Sequence, residues 1–155
     1  MNSLDDLTAL IIDMDGVLWH GDAALPGLTE FFGVLRARGI KFVLATNNSS
    51  KTPSQYQIKL AGMGVSVSRE EILTSSIAAG LYLREKAPAG ARVYVIGEDG
   101  LNEAMREAGF TLSQNGSEYV IVGMDRALSW DKLAQATLNI RAGAAFLGTN
   151  PDVTL

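Results

Sequence analysis

Short apolar runs alternate along the whole chain with segments whose apolar residues recur at helical spacing. The run Leu7–Ile12 is apolar on both faces and lies between acidic residues, which predicts a buried parallel strand. Leu28–Arg38 carries apolar residues three and four positions apart and stops before Gly39, which predicts a helix. The other predicted strands are 41–45, 72–74, 92–96, 119–122 and 145–147, and the other predicted helices are 53–63, 75–86, 98–108 and 130–142.

This alternation of strands and helices predicts an α/β fold with parallel sheets. A break at Pro88–Gly90 interrupts the rhythm, which then restarts. We therefore expect two parts, residues 1–88 and residues 91–155.

Composition excludes several classes of protein. With 155 residues, 47% of them hydrophobic, the chain can bury a core, which a disordered tail cannot do. A net charge of −4 argues against nucleic-acid binding, and the absence of cysteine, with a single histidine, excludes thiolate and multi-histidine metal sites. No apolar stretch approaches the roughly 20 residues that span a membrane, and the N-terminus lacks the positive charges of a signal peptide, so a cytoplasmic protein is expected.

Two polar segments follow the first two long strands. One contains Asp13 and Asp15, followed by Gly16, and the other is Thr46–Ser50. Taken alone, each segment is more often a turn, a helix cap or a plain loop than a functional site. Ligands of open α/β sheets bind at the carboxyl ends of strands, where paired carboxylates can hold Mg²⁺ or attack phosphorus. Hydroxyl, amide and N–H groups before a helix can bind phosphate oxygens.

Together these motifs resemble the haloacid dehalogenase superfamily. Asp13-Met14-Asp15-Gly16-Val17-Leu18, followed by Thr46-Asn47-Asn48-Ser49-Ser50, is closest to the branch of NagD-like and 4-nitrophenylphosphatase-like phosphatases. The resemblance implies a Rossmann-like core with a parallel sheet, of which this chain holds the N-terminal part. Residues from 91 onward would belong to an inserted α/β cap of the C2 type, also incomplete. Further matches to the branch are Leu25–Gly27, Val95–Glu98, Val120–Asp125 and Gly148–Asp152.

The resemblance also implies roles for individual residues. Asp13 would be the nucleophile that forms an aspartyl phosphate, and Asp15 would be the general acid and then the base. The Asp13 carboxylate and the Asp15 backbone carbonyl would bind Mg²⁺, while Thr46, Asn47 and Asn48 would hold the phosphoryl oxygens. The implied activity is a Mg²⁺-dependent phosphatase acting on small phosphorylated metabolites, such as sugar phosphates, nucleotides or 4-nitrophenyl phosphate.

A lysine and one or more aspartates that follow the cap in this family have no counterpart in the sequence. We therefore expect the N-terminal portion of a longer phosphatase, with an open edge on the first strand that self-association or domain swapping would cover. The alternatives are a catalytically incomplete fragment, a non-catalytic module that binds phosphate or a partner, and a phospho-acceptor receiver domain.

Other residues are singled out by chemistry rather than by a motif pair. His20 is expected to be an exposed loop residue, with a position lining the loop that faces the cap as the alternative. Trp19 and Trp130 are expected to be packing residues in the interior. Asp125 and the segment Asn150–Asp152 are candidates for substrate contact from the cap.

Overall fold

The structure, a computed structural model, describes residues 7–152. Over this range strands and helices alternate as the sequence predicts. The elements are β1 (Ala9–Asp13), β2 (Trp19–His20), β3 (Ala23–Ala24), α1 (Leu28–Ala37), β4 (Lys41–Thr46), α2 (Pro53–Gly62), β5 (Ile72–Thr74), α3 (Ser75–Lys86), β6 (Arg92–Ile96), α4 (Asp99–Glu107), β7 (Thr111–Leu112), β8 (Tyr119–Val122), α5 (Trp130–Arg141) and β9 (Ala145–Gly148). The predicted α/β fold with parallel sheets is confirmed.

Packing divides the chain into two compact units. Among the described residues, the first comprises those up to Thr46 together with Pro53–Leu73, and the second comprises Asn47–Thr52 together with those from Thr74 onward. The chain therefore enters the second unit after Thr46, returns to the first unit at Pro53, and enters the second unit again at Thr74.

The first unit contains a three-stranded sheet in the order β1-β4-β5. Strands β1 and β4 run parallel, with Asp13 opposite Ala45. Alternate residues of β4 are buried, and the Phe42 ring meets that of Phe32 of α1 edge-on at 5.1 Å between centroids. This alternation shows that one face of the sheet packs against a helical layer.

The first strand is buried on one face only, whereas the sequence predicts a buried strand with an open edge. β1 is at the edge of the sheet, and among the described residues only β4 pairs with it. Ile12 is buried, whereas the side chain of Ile11 is 82% exposed on the opposite face. Successive residues of a strand point to opposite faces, so an apolar run ensures burial only where both faces are covered.

The second unit contains a four-stranded parallel sheet in the order β7-β6-β8-β9. Helices α3 and α4 cover one face through a cluster that includes Leu83, Leu101 and Ile121. Helix α5 covers the other face, where Ala136 packs with Val120 and its neighbours. Helices therefore lie on both faces of this sheet at β6 and β8, as in other doubly wound α/β folds, while β9 is largely exposed.

Helix α3 packs with the second unit because it lies very close to α4. A Cβ atom at Gly80 would lie 3.2 Å from Ala108 Cβ and 3.3 Å from the carbonyl oxygen of Ala104. Division by packing consequently falls at Thr74, and not at the break near residues 88–90 from which two parts, 1–88 and 91–155, were predicted. The assignment of those parts to core and cap stays a prediction.

Of the helices between residues 7 and 152, none combines the length and the apolar character that a bilayer-spanning segment requires.

Candidate active site

The carboxyl ends of β1 and β4 carry the predicted catalytic side chains of the first unit. Asp13 is the last residue of β1, Thr46 is the last residue of β4, and the two strands are neighbours. Asp15 lies two residues beyond β1, and its Oδ2 accepts a 3.4 Å hydrogen bond from the Thr46 hydroxyl. The structure thus brings Asp15 and Thr46 into contact at one edge of the sheet.

The loop after β1 is a tight turn that presents both aspartates. Gly16 has a φ of 80°, and its N–H donates to the Trp19 carbonyl at 2.8 Å. Met14 is fully buried between the aspartates, and its N–H donates to Asp13 Oδ1 at 2.8 Å. Both aspartates are exposed residues. Glycine permits the left-handed backbone that this turn requires, and the buried methionine anchors the loop.

Asp15 also accepts a hydrogen bond from an aromatic ring that the sequence assigned to packing only. The indole N–H of Trp19 donates to Asp15 Oδ1 at 2.8 Å. Trp19 is buried, as expected, and its ring stacks on Tyr56 at a centroid distance of 6.3 Å. Hydrophobic patterning locates the buried ring, but it carries no signal for the direction of the ring's single N–H group.

Tyr56 of α2 reports the electrostatic environment around Asp15. Burial raises the pKa of the Tyr56 phenol to about 12, and the negative charge of Asp15 adds to the rise, while a hydrogen bond with Thr46 acts in the opposite direction. The phenol is therefore neutral at physiological pH and serves as a polar neighbour of these two residues.

A cation also lies in this neighbourhood. Lys59 Nζ is 4.5 Å from the centroid of the Trp19 ring and donates to the Gly21 carbonyl at 2.6 Å. Asp22 is 3.7 Å from the same ammonium group and fully exposed. Lys59 thus lies over the indole and is tied to the short hairpin formed by β2 and β3.

The segment that follows Thr46 belongs to the second unit and is held there by hydroxyl groups. Ser75 Oγ donates to the Asn47 carbonyl at 2.7 Å, and Ser76 Oγ donates to the Ser49 carbonyl at 2.8 Å. Ser49 Oγ in turn accepts from the Met124 N–H at 2.8 Å. These contacts fix the backbone of the predicted phosphate-binding loop against α3 and the end of β8.

The two predicted asparagines of this loop have different partners. Asn48 Oδ1 accepts from both the N–H and the hydroxyl of Ser50, at 2.9 and 2.8 Å, which is the geometry of an Asx turn. Asn47 is exposed, and its Nδ2 lies 3.5 Å from Asp152 Oδ2. The side-chain oxygen of Asn48 therefore shapes the loop, and the phosphate-binding roles of both asparagines stay predictions.

A cavity of about 850 Å³ opens within the second unit beside Asn47. Asn150 and Asp152, two of the candidate substrate contacts, line it together with Phe146, whose side chain is 61% exposed. Asp125 is not among its lining residues. Its carboxylate is 3% exposed and forms a 2.5 Å ion pair with Lys132, so it stabilises the turn before α5.

Two further expectations concern single residues. His20 is exposed, as expected for a loop-type position, although it lies in the two-residue strand β2. The expectation that Trp130 packs in the interior is wrong, because its side chain is 81% exposed at the first position of α5. The buried residues of α5, Ala136 and Asn139, lie further along the helix.

The acidic residues present fit one mode of Mg²⁺ binding. Within residues 7–152, no three acidic, histidine or cysteine side chains form a group that could hold a metal ion. Magnesium in phosphoryl-transfer sites is held by one or two carboxylates, with water and substrate oxygens filling the other positions. Asp13 and Asp15 supply exposed, hard oxygen donors within three residues of chain, which suits that mode.

Comparison with known proteins identifies phosphatases of similar sequence and fold. The acid sugar phosphatase of Staphylococcus aureus is 41% identical over 148 residues, covering 95% of this chain and 57% of that protein. The structure of NagD from Escherichia coli superposes with a TM-score of 0.86 at 36% identity, covering 96% of this chain and 59% of that one. Glycerol phosphate phosphatase of Mycobacterium tuberculosis, in complex with magnesium, gives a TM-score of 0.90 at 28% identity, covering all of this chain and 47% of that one.

The chain thus spans a little under three fifths of the length of the curated relatives that it matches. The sequence model of a family described as haloacid dehalogenase-like hydrolases matches residues 10–111, which include both motifs at the strand ends. The resemblance drawn from those motifs is therefore confirmed, and the chain belongs to the haloacid dehalogenase-like hydrolase family.

Proposed function

We propose that this chain carries the nucleophile and the acid–base residue of a Mg²⁺-dependent phosphatase for small phosphate monoesters. The observation that carries the proposal is the contact at the strand ends, where Asp15, beyond β1, accepts a hydrogen bond from Thr46 at the end of β4. Asp13 is the last residue of β1 and lies opposite Ala45 of β4. The family relatives act as sugar phosphatases or glycerol phosphate phosphatases, as their names state.

The reaction would proceed in two steps. A carboxylate oxygen of Asp13 attacks phosphorus, the bond from phosphorus to the ester oxygen breaks, and Asp15 gives its proton to that oxygen. Asp15 then takes a proton from water, the resulting hydroxide attacks phosphorus, and the bond to Asp13 breaks. Inorganic phosphate leaves and the Asp13 carboxylate is restored.

The chain's own groups would bind the phosphoryl oxygens during both steps. The Thr46 hydroxyl, the side chain of Asn47 and backbone N–H groups of the following loop are the donors available. The Asp13 carboxylate and the Asp15 carbonyl would hold Mg²⁺, which neutralises charge on the transferred group when bound. Glycerol phosphate phosphatase of the same fold was solved with magnesium, which supports this choice of cation.

Hydrolysis of 4-nitrophenyl phosphate by this chain, with Mg²⁺ varied, tests the proposal. We expect turnover that requires Mg²⁺ and is lost in Asp13→Asn, and a phosphoryl adduct at Asp13 in acid-quenched protein. Asp22→Asn is the matched control, because Asp22 is a fully exposed aspartate of the same unit. No turnover from folded protein, even with Mg²⁺ in excess, would favour a phosphate-binding module over an enzyme. Equal loss in both variants would contradict the role of Asp13.

Self-association through the open edge of β1 is a second proposal, supported by the exposed Ile11 and by the unpaired edge of β1 among residues 7–152. Sedimentation velocity over a wide concentration range tests it. A sedimentation coefficient that stays monomeric at every concentration would count against it.

A further inference from the structure

The only polar group of the Trp19 side chain, its indole N–H, donates a hydrogen bond to an exposed aspartate. Trp19 is 1% exposed, yet its indole N–H reaches Asp15 Oδ1 at 2.8 Å. A buried indole requires an acceptor, and any backbone carbonyl would satisfy that requirement. Here the acceptor is the residue proposed as acid and base, so the contact joins the hydrophobic core to the reacting carboxylate.

The indole is held rigidly enough to act as a fixed donor. The backbone carbonyl of Trp19 accepts from the Gly16 N–H at 2.8 Å, and the indole ring stacks on Tyr56 with 24° between the planes. Lys59 lies over the ring at 4.5 Å, where its positive charge attracts the π electrons and makes the ring N–H a stronger donor. Tyr56 and Lys59 both belong to α2, so one helix fixes the orientation of the ring.

The two oxygens of Asp15 are held unequally. The bond from Trp19 to Oδ1 is 2.8 Å, whereas the bond from Thr46 to Oδ2 is 3.4 Å. Charge-assisted hydrogen bonds of normal strength are shorter than 3 Å, so Oδ1 is the firmly bound oxygen and Oδ2 the loosely bound one. Oδ2 is therefore the oxygen of Asp15 that is less constrained by hydrogen bonds.

We infer that Trp19 is a positioning residue for Asp15: its indole N–H fixes Oδ1 so that Oδ2 is the oxygen that exchanges protons with the leaving group and with water. This inference rests on the proposed phosphatase function and assigns a role in it to a side chain outside the acidic motif. A hydrogen bond to a charged group of this strength corresponds to about a 10- to 100-fold change in rate when it is lost.

Replacement of the N–H alone is the decisive experiment. Trp19→benzothienylalanine keeps the shape and stacking of the ring but has no donor, and Trp19→Phe is a simpler second variant. We expect kcat/KM for glycerol phosphate, which reports the steps up to departure of the alcohol, to fall about 10- to 100-fold, and kcat/KM for 4-nitrophenyl phosphate to fall much less. The nitrophenolate leaves readily without a proton, whereas an alkoxide does not. Trp130→Phe, at an exposed tryptophan, is the control.

Equal losses of kcat/KM for the two esters would overturn the positioning role, because a purely structural defect does not distinguish leaving groups. A variant that keeps the normal rate for glycerol phosphate would overturn it as well.

A second measurement requires no turnover. The chain has two tryptophans, so its ¹H–¹⁵N spectrum contains two indole signals, which Trp130→Phe assigns. We expect Asp15→Asn to move the Trp19 signal strongly, Lys59→Met to move it moderately, and both to leave the Trp130 signal in place. A Trp19 signal that does not respond to Asp15→Asn would overturn the inference. If the unaltered chain hydrolyses neither ester, the phosphatase proposal fails, and this spectrum alone decides whether Trp19 holds Asp15.

Discussion

Replacement of Gly100 by alanine tests the packing that holds the proposed phosphate-binding loop in the second unit. Gly100 lies in the first turn of α4, and its N–H donates to the Ser50 carbonyl at 2.9 Å. A Cβ atom there would lie 2.4 Å from the carbonyl oxygen of Lys51 and 2.7 Å from that of Ser49. Both obstacles are backbone atoms, which cannot move aside as a flexible side chain can. The loop would have to retreat by about 1 Å to restore ordinary contact.

Three effects determine the change in stability. Overpacking against a backbone costs about 1–3 kcal/mol, and weakening the hydrogen bond from Gly100 to Ser50 costs about 1 kcal/mol. The better helix propensity of alanine returns about 1 kcal/mol. We therefore expect Gly100→Ala to lower the free energy of unfolding by about 2 kcal/mol.

Urea denaturation followed by circular dichroism measures this change through the transition midpoint. Gly33→Ala is the matched control, because Gly33 lies inside α1 and a Cβ there would meet no atom within 4 Å. It keeps the propensity gain without the collision, so its midpoint is expected to rise, by an amount equivalent to about 0.5–1 kcal/mol. A Gly100→Ala midpoint that rises alongside that of Gly33→Ala would refute the close approach of α4 to the loop.

Three other predictions concern the first unit. The Arg36 guanidinium lowers the pKa of Glu71 below 4.5, so the stability that this pair contributes is present above pH 4.5 and is lost as the pH falls through the lowered pKa. In urea midpoints measured from pH 6 to 3, Glu71→Gln should therefore reduce the loss of unfolding free energy at acid pH, by at most about 1 kcal/mol. Burial raises the pKa of Tyr56 to about 12, so stability should be full below pH 10 and fall by about 2–3 kcal/mol as the pH rises toward 12, a decline that Tyr56→Phe should remove from the alkaline midpoints. Leu60→Ala, at a fully buried residue of α2, should cost about 2–5 kcal/mol by urea titration, whereas Ile58→Ala, 73% exposed on the same helix, should stay within about 0.5 kcal/mol; similar losses would contradict the burial pattern of α2.

The helices and longer strands could be predicted from the sequence because their signals are local. Apolar spacing followed by glycine located the end of α1, where Gly39 has a φ of 64°, and predicted α3 at its observed bounds. Strands of two residues, such as β2 and β7, are too short to show any periodicity. Their formation depends on neighbours that the local pattern does not contain.

The candidate site was predictable in its residue types and only partly in its contacts. The strand-end rule placed Asp13, Asp15 and Thr46 at one edge, since parallel neighbours end on the same side. The indole of Trp19 was missed, because the aim of a ring N–H depends on the turn at Gly16 and on α2 behind it. The exposure of Ile11 accompanies the open edge that was predicted for the first strand, since an apolar run specifies no partner for its outer face.

The segment Asn47–Thr52 is separated along the chain from the rest of the second unit, which affects how that unit folds. Its Ser49 hydroxyl accepts from the Met124 N–H, a residue 75 positions later in the chain. Closing a loop of that length costs on the order of 4 kcal/mol of chain entropy before the contact returns any stabilisation. During synthesis the contact between this loop and Met124 can therefore form only after β8 has emerged from the ribosome. A fragment that begins at Thr74 would lack the Ser49 atoms that accept hydrogen bonds from Met124 and Ser76. We therefore expect the second unit to fold fully only when Asn47–Thr52 is present.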